Sequence, residues 1–421
     1  MAATKKLKSE ISWAVFHPDH VEEARKVIKA FQGDGTIDAL GFGVLLEDVS
    51  DIFFPGTSTL HTWLRYQIFV PALLHSIQHL KKSNDIRSEL LRLEFGLQRT
   101  LVNSAEQSKN STQVLGIIGR NRGEQLKYWP SMVYWNSLNA MQVFGKSKLS
   151  RDKVFQLLAS EKEDQYQNDD GDGDITVDEI MSIDPQICRI AQDCIFKDIS
   201  RGILKEKLDF KLSAPEARWF ENRTLELYPN SLSAQLLNRQ AREIEATKTI
   251  FKVAVKKNEN LSDLLNAAEQ YSRFAQGATY LYNAVLCAHK VRDESVTYNL
   301  HQLEKWHQSA KFLENWSAEQ IYECLNRFNP TDRDEGLITF CHQVLELLKK
   351  KPSKRLILAS ATLIKEREFQ IKGARSRFRN NRVNIPRNVY QTDLPFSSHL
   401  FDYRWRVGKS NALSVTERLR S

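Results

Sequence analysis

Apolar residues recur at three- and four-residue intervals along most of this chain, and strand-like alternation is scarce. That spacing puts them on one face of a helix, so the fold is expected to be mainly α and multi-helical. Between Leu261 and Lys290 the residues Leu264, Ala267, Tyr271, Phe274, Ala278, Leu281 and Val285 form a single stripe, whose aromatics are expected in the core and not in a cofactor box. In LSAPEARWFENRTLELYP, Ser213 is placed to cap a helix, Pro215 suits its first turn, Glu216 completes a capping box and Pro229 follows the end. Another helix is read over Ile86–Gln107.

The N-terminal part reads as an extended ISWAVF, a helix in HPDHVEEARKVIKAFQ, and a second in GFGVLLEDVSDIFF that ends at Pro55-Gly56. Thr57 or Ser58 is expected to cap the next helix directly, with Tyr66, Phe69 and Val70 packing inward. This is the outline of a helix-turn-helix, though many helical domains that bind nothing share it. Arg65 either anchors the turn internally or faces a phosphate with the capped amides. The internal role is favoured, because the positive charge is concentrated far downstream.

That concentration is the main functional signal. Lys349 to Arg387 holds thirteen Lys and Arg against Glu366 and Glu368, a balance of +11 in a chain of net charge +8, so the remainder carries −3. The segment opens as KKKPSKR and continues as an amphipathic helix with Leu356, Ala359 and Leu363 on one side, breaking at Gly373. Lys372, Arg375, Arg377, Arg379 and Arg382 then surround Phe378. Arginine forks with an interleaved aromatic suit phosphate tracking and base stacking. The plainer reading is internal pairing or an acidic protein partner. Arg120 and Arg122, among Gly116, Gly119 and Gly123 ahead of a helix entered through Pro130 and Ser131, offer a second phosphate contact, or an ordinary solvated loop.

The expected organisation is two helical halves with a basic C-terminal segment: a helical domain over 1–160, an acidic irregular insertion or linker over 161–210, a second helical domain over 211–345, and a basic segment over 346–421 packed on the helical body. In the insertion, NDDGDGDITVDEI places Asn168, Asp170, Asp172, Asp174 and Glu179 in the register of a calcium loop. The leading Asn, the polar QYQ before it and the lack of a second hand favour a solvated acidic turn.

Other chemistries fail on spacing. Gly145-Lys146-Ser147 and Gly408-Lys409-Ser410 lack the first glycine of a phosphate loop, which Ala140 and Tyr403 replace. His79-Leu80-Lys81 with Asp85 is one residue short of a phospholipase-D-like nuclease motif, and Asp209-Phe210-Lys211 stands alone. His75 and His79 share a helix face without an acidic third ligand and are expected at the surface. The five cysteines are scattered and never in CxxC spacing, so reduced, buried thiols are expected. With no apolar run of membrane-spanning length and no apolar leader, a cytoplasmic, membrane-free protein is expected.

Several blocks together resemble the bacterial family called domain of unknown function 6361. They are ISWAVFHPDHVEEARKVIKAFQ, GFGVLLEDVSDIFFPGTSTLHTWLRYQIFVP, GIIGRNRGEQLKYWPSMVYWNSL, FKLSAPEARWFENRTLELYPNSLSAQLL, FAQGATYLYNAVL, REFQIKGARSRFRNN and FDYRW. The acidic stretch near 161–190 departs from the family's proline-rich join. The resemblance implies a subunit of an anti-phage defence system that works beside a helicase or a phospholipase-D-like nuclease, and it carries no catalytic residues with it. The expected function is therefore non-enzymatic nucleic-acid binding, with DNA favoured over RNA. The alternatives are a protein-interaction scaffold and a metal-dependent nuclease with an unrecognised site.

Overall fold

A computed structural model describes residues 39–78, 85–107, 116–120, 126–167, 200, 207–289, 293–330, 335–378 and 400–420. These residues hold fourteen α-helices and no strand. The first five are α1 (Gly43–Phe53), α2 (Tyr66–Gln78), α3 (Ile86–Gln107), α4 (Pro130–Ala140) and α5 (Arg151–Gln167). Then come α6 (Ala214–Leu227), α7 (Leu232–Leu237), α8 (Ala241–Ala246) and α9 (Glu259–His289). The chain closes with α10 (Asp293–Gln308), α11 (Ala318–Asn326), α12 (Glu335–Leu348), α13 (Lys354–Lys372) and α14 (Trp405–Arg420).

The long apolar stripe makes α9 the axis of the molecule, since a helix 31 residues long with buried residues on nearly every turn must be covered on several sides. Helices α10, α11, α12 and α13 cover it, while α14 lies across α6, α7 and α8 and α2 packs on α3 and α4. Phe42 reaches from the start of α1 to Tyr271 and Phe274 of α9, with ring centroids 5.9 Å away in both cases. One hydrophobic core runs through all these helices and across the boundaries drawn at 160, 210 and 345.

Local signals set several ends. Ser213 Oγ accepts the Glu216 amide and Glu216 returns the contact to the Ser213 amide, so the capping box at α6 is complete. After α1 the expectation differs from the structure. Thr57 and Ser58 do not start a helix: Ser58 Oγ accepts the Leu60 amide in a turn, the Ser58 amide donates to His61 Nδ1, and α2 begins only at Tyr66. The His61 ring is buried and accepts the Ser58 amide, which ties these residues into a turn.

Candidate nucleic-acid interface

The basic segment divides into an inward and an outward part. The face of α13 that packs on the core is Leu356, Ile357, Ser360, Ile364, Arg367 and Glu368. Ala359 is exposed and Leu363 half-buried, so the expected apolar side of this helix is displaced by about a quarter of a turn. Two ionic residues occupy core positions because long-range partners satisfy them. Arg367 Nε donates to the Leu40 carbonyl at 3.0 Å and its guanidinium lies 5.1 Å from the Phe340 ring centre.

Glu368 is fully buried and gathers the charge around it. Tyr282 Oη donates to it at 3.0 Å, Ser376 Oγ at 3.3 Å and the Arg377 amide at 3.2 Å, while Lys372 Nζ and Arg377 Nη1 each lie 3.4 Å from the same oxygen. Phe378 packs edge-on against Tyr282 and His289, with Lys365 over its ring. Lys372, Arg377 and Phe378 are thus engaged within the protein, where a buried carboxylate without its cations would be costly. Arg375 is exposed, as is Arg120; Arg379, Arg382 and Arg122 lie outside the described residues.

The outward part is the α12–α13 junction. Lys349, Lys350, Lys351, Lys354 and Arg355 are all exposed around buried Pro352 and half-buried Ser353, whose Oγ caps α13 by accepting the Leu356 amide at 3.1 Å. Lys349 pairs with Glu346 at 3.0 Å. Lys350, Lys351, Lys354 and Arg355 have no acidic partner among the described residues. Sequence composition marked the whole segment but did not separate these cations from those that Glu368 holds, because that division depends on which helix face meets α9.

The remaining candidate chemistry has this placement. The calcium-register residues Asn168, Asp170, Asp172, Asp174 and Glu179 lie outside the described residues. Among the described residues no group of three or more His, Cys, Asp or Glu side chains is arranged to hold a metal ion. His75 is buried against Ser200 Oγ at 3.1 Å and not at the surface. Gly408-Lys409 lies inside α14, where Lys409 Nζ donates to the Glu245 and Thr247 carbonyls and closes the C-terminal end of α8. Cys287, Cys324 and Cys341 are buried free thiols. No described helix is long and apolar enough to cross a membrane.

Residues 8–154 match the model of the Family of unknown function (DUF6361). Over this stretch the chain is similar to that family. No curated protein and no solved structure matches the chain. The blocks placed with the family beyond residue 154 lie outside the match, but the structure binds them to the DUF6361 region. Arg65 pairs with Glu216 and Asp209, both at 3.1 Å, and lies 5.2 Å from the Phe69 ring centre. Its role is internal: it holds the start of α2 to the capping box of α6. Arg404 of the FDYRW block pairs with Glu47 and Asp51 and donates to the Thr57 carbonyl at 2.6 Å. Tyr403 and Arg404 both have positive φ, a strain retained because Tyr403 is fully buried against Phe53 and Phe251.

The DUF6361 region also contains two buried titratable groups that sequence reading did not single out. Glu94 of α3 accepts the Ser131 amide at 2.6 Å and Ser131 Oγ at 3.2 Å, capping α4, whose own N-cap Trp129 offers no side-chain bond. Burial pushes its carboxyl up to about 7, opposed by the Ser131 bonds and Arg151. His61 stacks on Tyr134 with centroids 4.2 Å apart, and burial lowers its imidazole to about 4. With Nδ1 accepting the Ser58 amide, Nε2 carries the proton and donates to the Val133 carbonyl at 3.2 Å.

Proposed function

We propose that this protein is a non-enzymatic subunit that holds nucleic acid, DNA in preference to RNA, through the basic junction between α12 and α13. In this reading it works in the anti-phage defence complex that the family resemblance implies, and a helicase or nuclease partner performs the catalysis. One observation carries it: Lys350, Lys351 and Lys354 are exposed and without an acidic partner among the described residues, whereas Lys372 and Arg377 are both paired with Glu368. Exposed ammonium groups in a row match the repeating charge of a phosphate backbone and carry no sequence preference. Arg355 adds a further exposed cation at the same junction. The test is binding of a labelled duplex and of a single strand to the full chain, with and without Lys350→Gln, Lys351→Gln and Lys354→Gln together. Affinity that falls in the triple variant, with a weaker dependence on salt, supports the reading. Unchanged affinity and salt dependence contradict it.

A further inference from the structure

Three of the large apolar side chains most exposed among the described residues lie on one helix, α13: Leu358 at 72%, Phe369 at 54% and Ile371 at 38%. On its outer face Arg355, Ala359, Thr362, Glu366 and Phe369 step by four and three residues, with Leu358 exposed beside Ala359. Such spacing is the seam of a two-helix contact, and here it is found on the side turned away from the core. A stable surface helix would carry polar residues where Leu358 and Phe369 stand. Leu358 contributes apolar area, and Ala359 and Thr362 are short enough to let a second helix approach.

The charges on the stripe identify the occupant. Arg355 near the N-terminal end and Glu366 in the second half are opposite in sign, and neither has an ionic partner among the described residues. They stand about 16 Å apart along the axis, with the uncharged Leu358, Ala359 and Thr362 between them. A stripe with one cation and one anion at either side of a small apolar centre is complementary to itself when turned end for end. We propose that the protein self-associates through α13, pairing antiparallel with α13 of a second copy about a two-fold axis near Ser360 and Ala361. Arg355 of each copy then faces Glu366 of the other, and Ala359 faces Thr362. Phe369, one turn beyond Glu366, comes within reach of the same incoming guanidinium, which stacks on its ring. An interface of this kind is isologous, so each contact occurs twice.

The arrangement does not depend on the lysines binding nucleic acid, since Lys350, Lys351 and Lys354 stay at the outer ends of the paired helices. One helix face per copy buries less than the roughly 1,200–2,000 Å² of a stable complex, so the dimer is a weak one, forming in the micromolar range.

Sedimentation velocity of the full chain across that range tests the contact. A concentration-dependent monomer–dimer equilibrium is expected. Arg355→Glu alone, or Glu366→Arg alone, removes two ion pairs and creates two like-charge contacts, weakening association by about ten-fold or more. The double swap, Arg355→Glu with Glu366→Arg, is expected to restore it, which a loss of folding or of general surface charge would not do. A monomer at every concentration overturns the proposal. So does a dimer that neither reversal weakens, or one that the swap fails to recover, and the face is then left to a different protein.

Discussion

Glu94 and His61, both buried in the DUF6361 region, make opposite demands on pH, and removing either should expose the other. Glu94 rises in the folded state to about 7, so between the unfolded carboxylate value and pH 7 the folded form keeps a proton that the unfolded form has lost. Stability therefore falls as pH rises, by ~1.4 kcal/mol per pH unit for one proton. His61 is lowered in the folded state to about 4, so below the unfolded imidazole value the unfolded form takes up a proton that the folded form refuses. Its contribution is lost as pH falls, with the same slope and the opposite sign. Between about pH 4.5 and 6.5 the two cancel, and the pair adds no net pH dependence. In Glu94→Gln only the histidine remains, and stability measured by urea unfolding should gain ~3 kcal/mol from pH 4.5 to 6.5 relative to wild type. In His61→Gln it should lose about as much over the same interval. A comparison of slopes is insensitive to the constant cost of each substitution, such as the lost ring stacking on Tyr134. If Glu94→Gln follows the wild-type pH profile in parallel, the carboxyl is not held protonated and the reasoning fails.

Other consequences are simpler. Arg65→Ala leaves Glu216 buried without its cation, so thermal unfolding should report a loss of about 3 kcal/mol, while nucleic-acid affinity of the folded fraction stays unchanged. A Cβ at Gly408 would collide with the ring of Phe54, and Gly408→Ala should cost ~1–3 kcal/mol by overpacking; chemical denaturation at unchanged solvent-dependence checks it. Arg377→Gln should destabilise the fold by releasing part of the Glu368 cluster, yet alter nucleic-acid binding less than the loss of any one of Lys350, Lys351 or Lys354 does in the same titration. An equal or larger binding loss in Arg377→Gln would return the contact surface to the arginine-rich turn.

What the sequence discloses depends on how far away the deciding partner is. The capping box at Ser213 is legible because donor and acceptor are three residues apart, and the core stripe of α9 because it repeats over 31 residues. The start of α2 is not, since Thr57 and Ser58 have the chemistry of a cap but His61 takes the Ser58 amide once Tyr134 packs on its ring. The orientation of α13 is hidden for the same reason. Arg367 and Glu368 read as solvent-facing charges until Leu40 and Tyr282, from distant parts of the chain, supply their partners. Composition therefore shows a basic segment over Lys349 to Arg387, but which of its lysines lack an acidic partner, and the exposure of Leu358 and Phe369 on α13, required the packing to be known.

The salt dependence of nucleic-acid binding tests the central claim most directly. Each phosphate contact adds ~0.9 to the slope of log affinity against log salt on duplex DNA, so losing three lysines should flatten it by up to ~2.7, a difference of about forty-fold between 50 and 200 mM salt. The account predicts that Lys350→Gln, Lys351→Gln and Lys354→Gln together flatten the slope by an amount of that order and weaken binding to different sequences uniformly. A slope that is the same in the wild type and the triple variant, or a wild-type chain that binds neither duplex nor single strand, would contradict it.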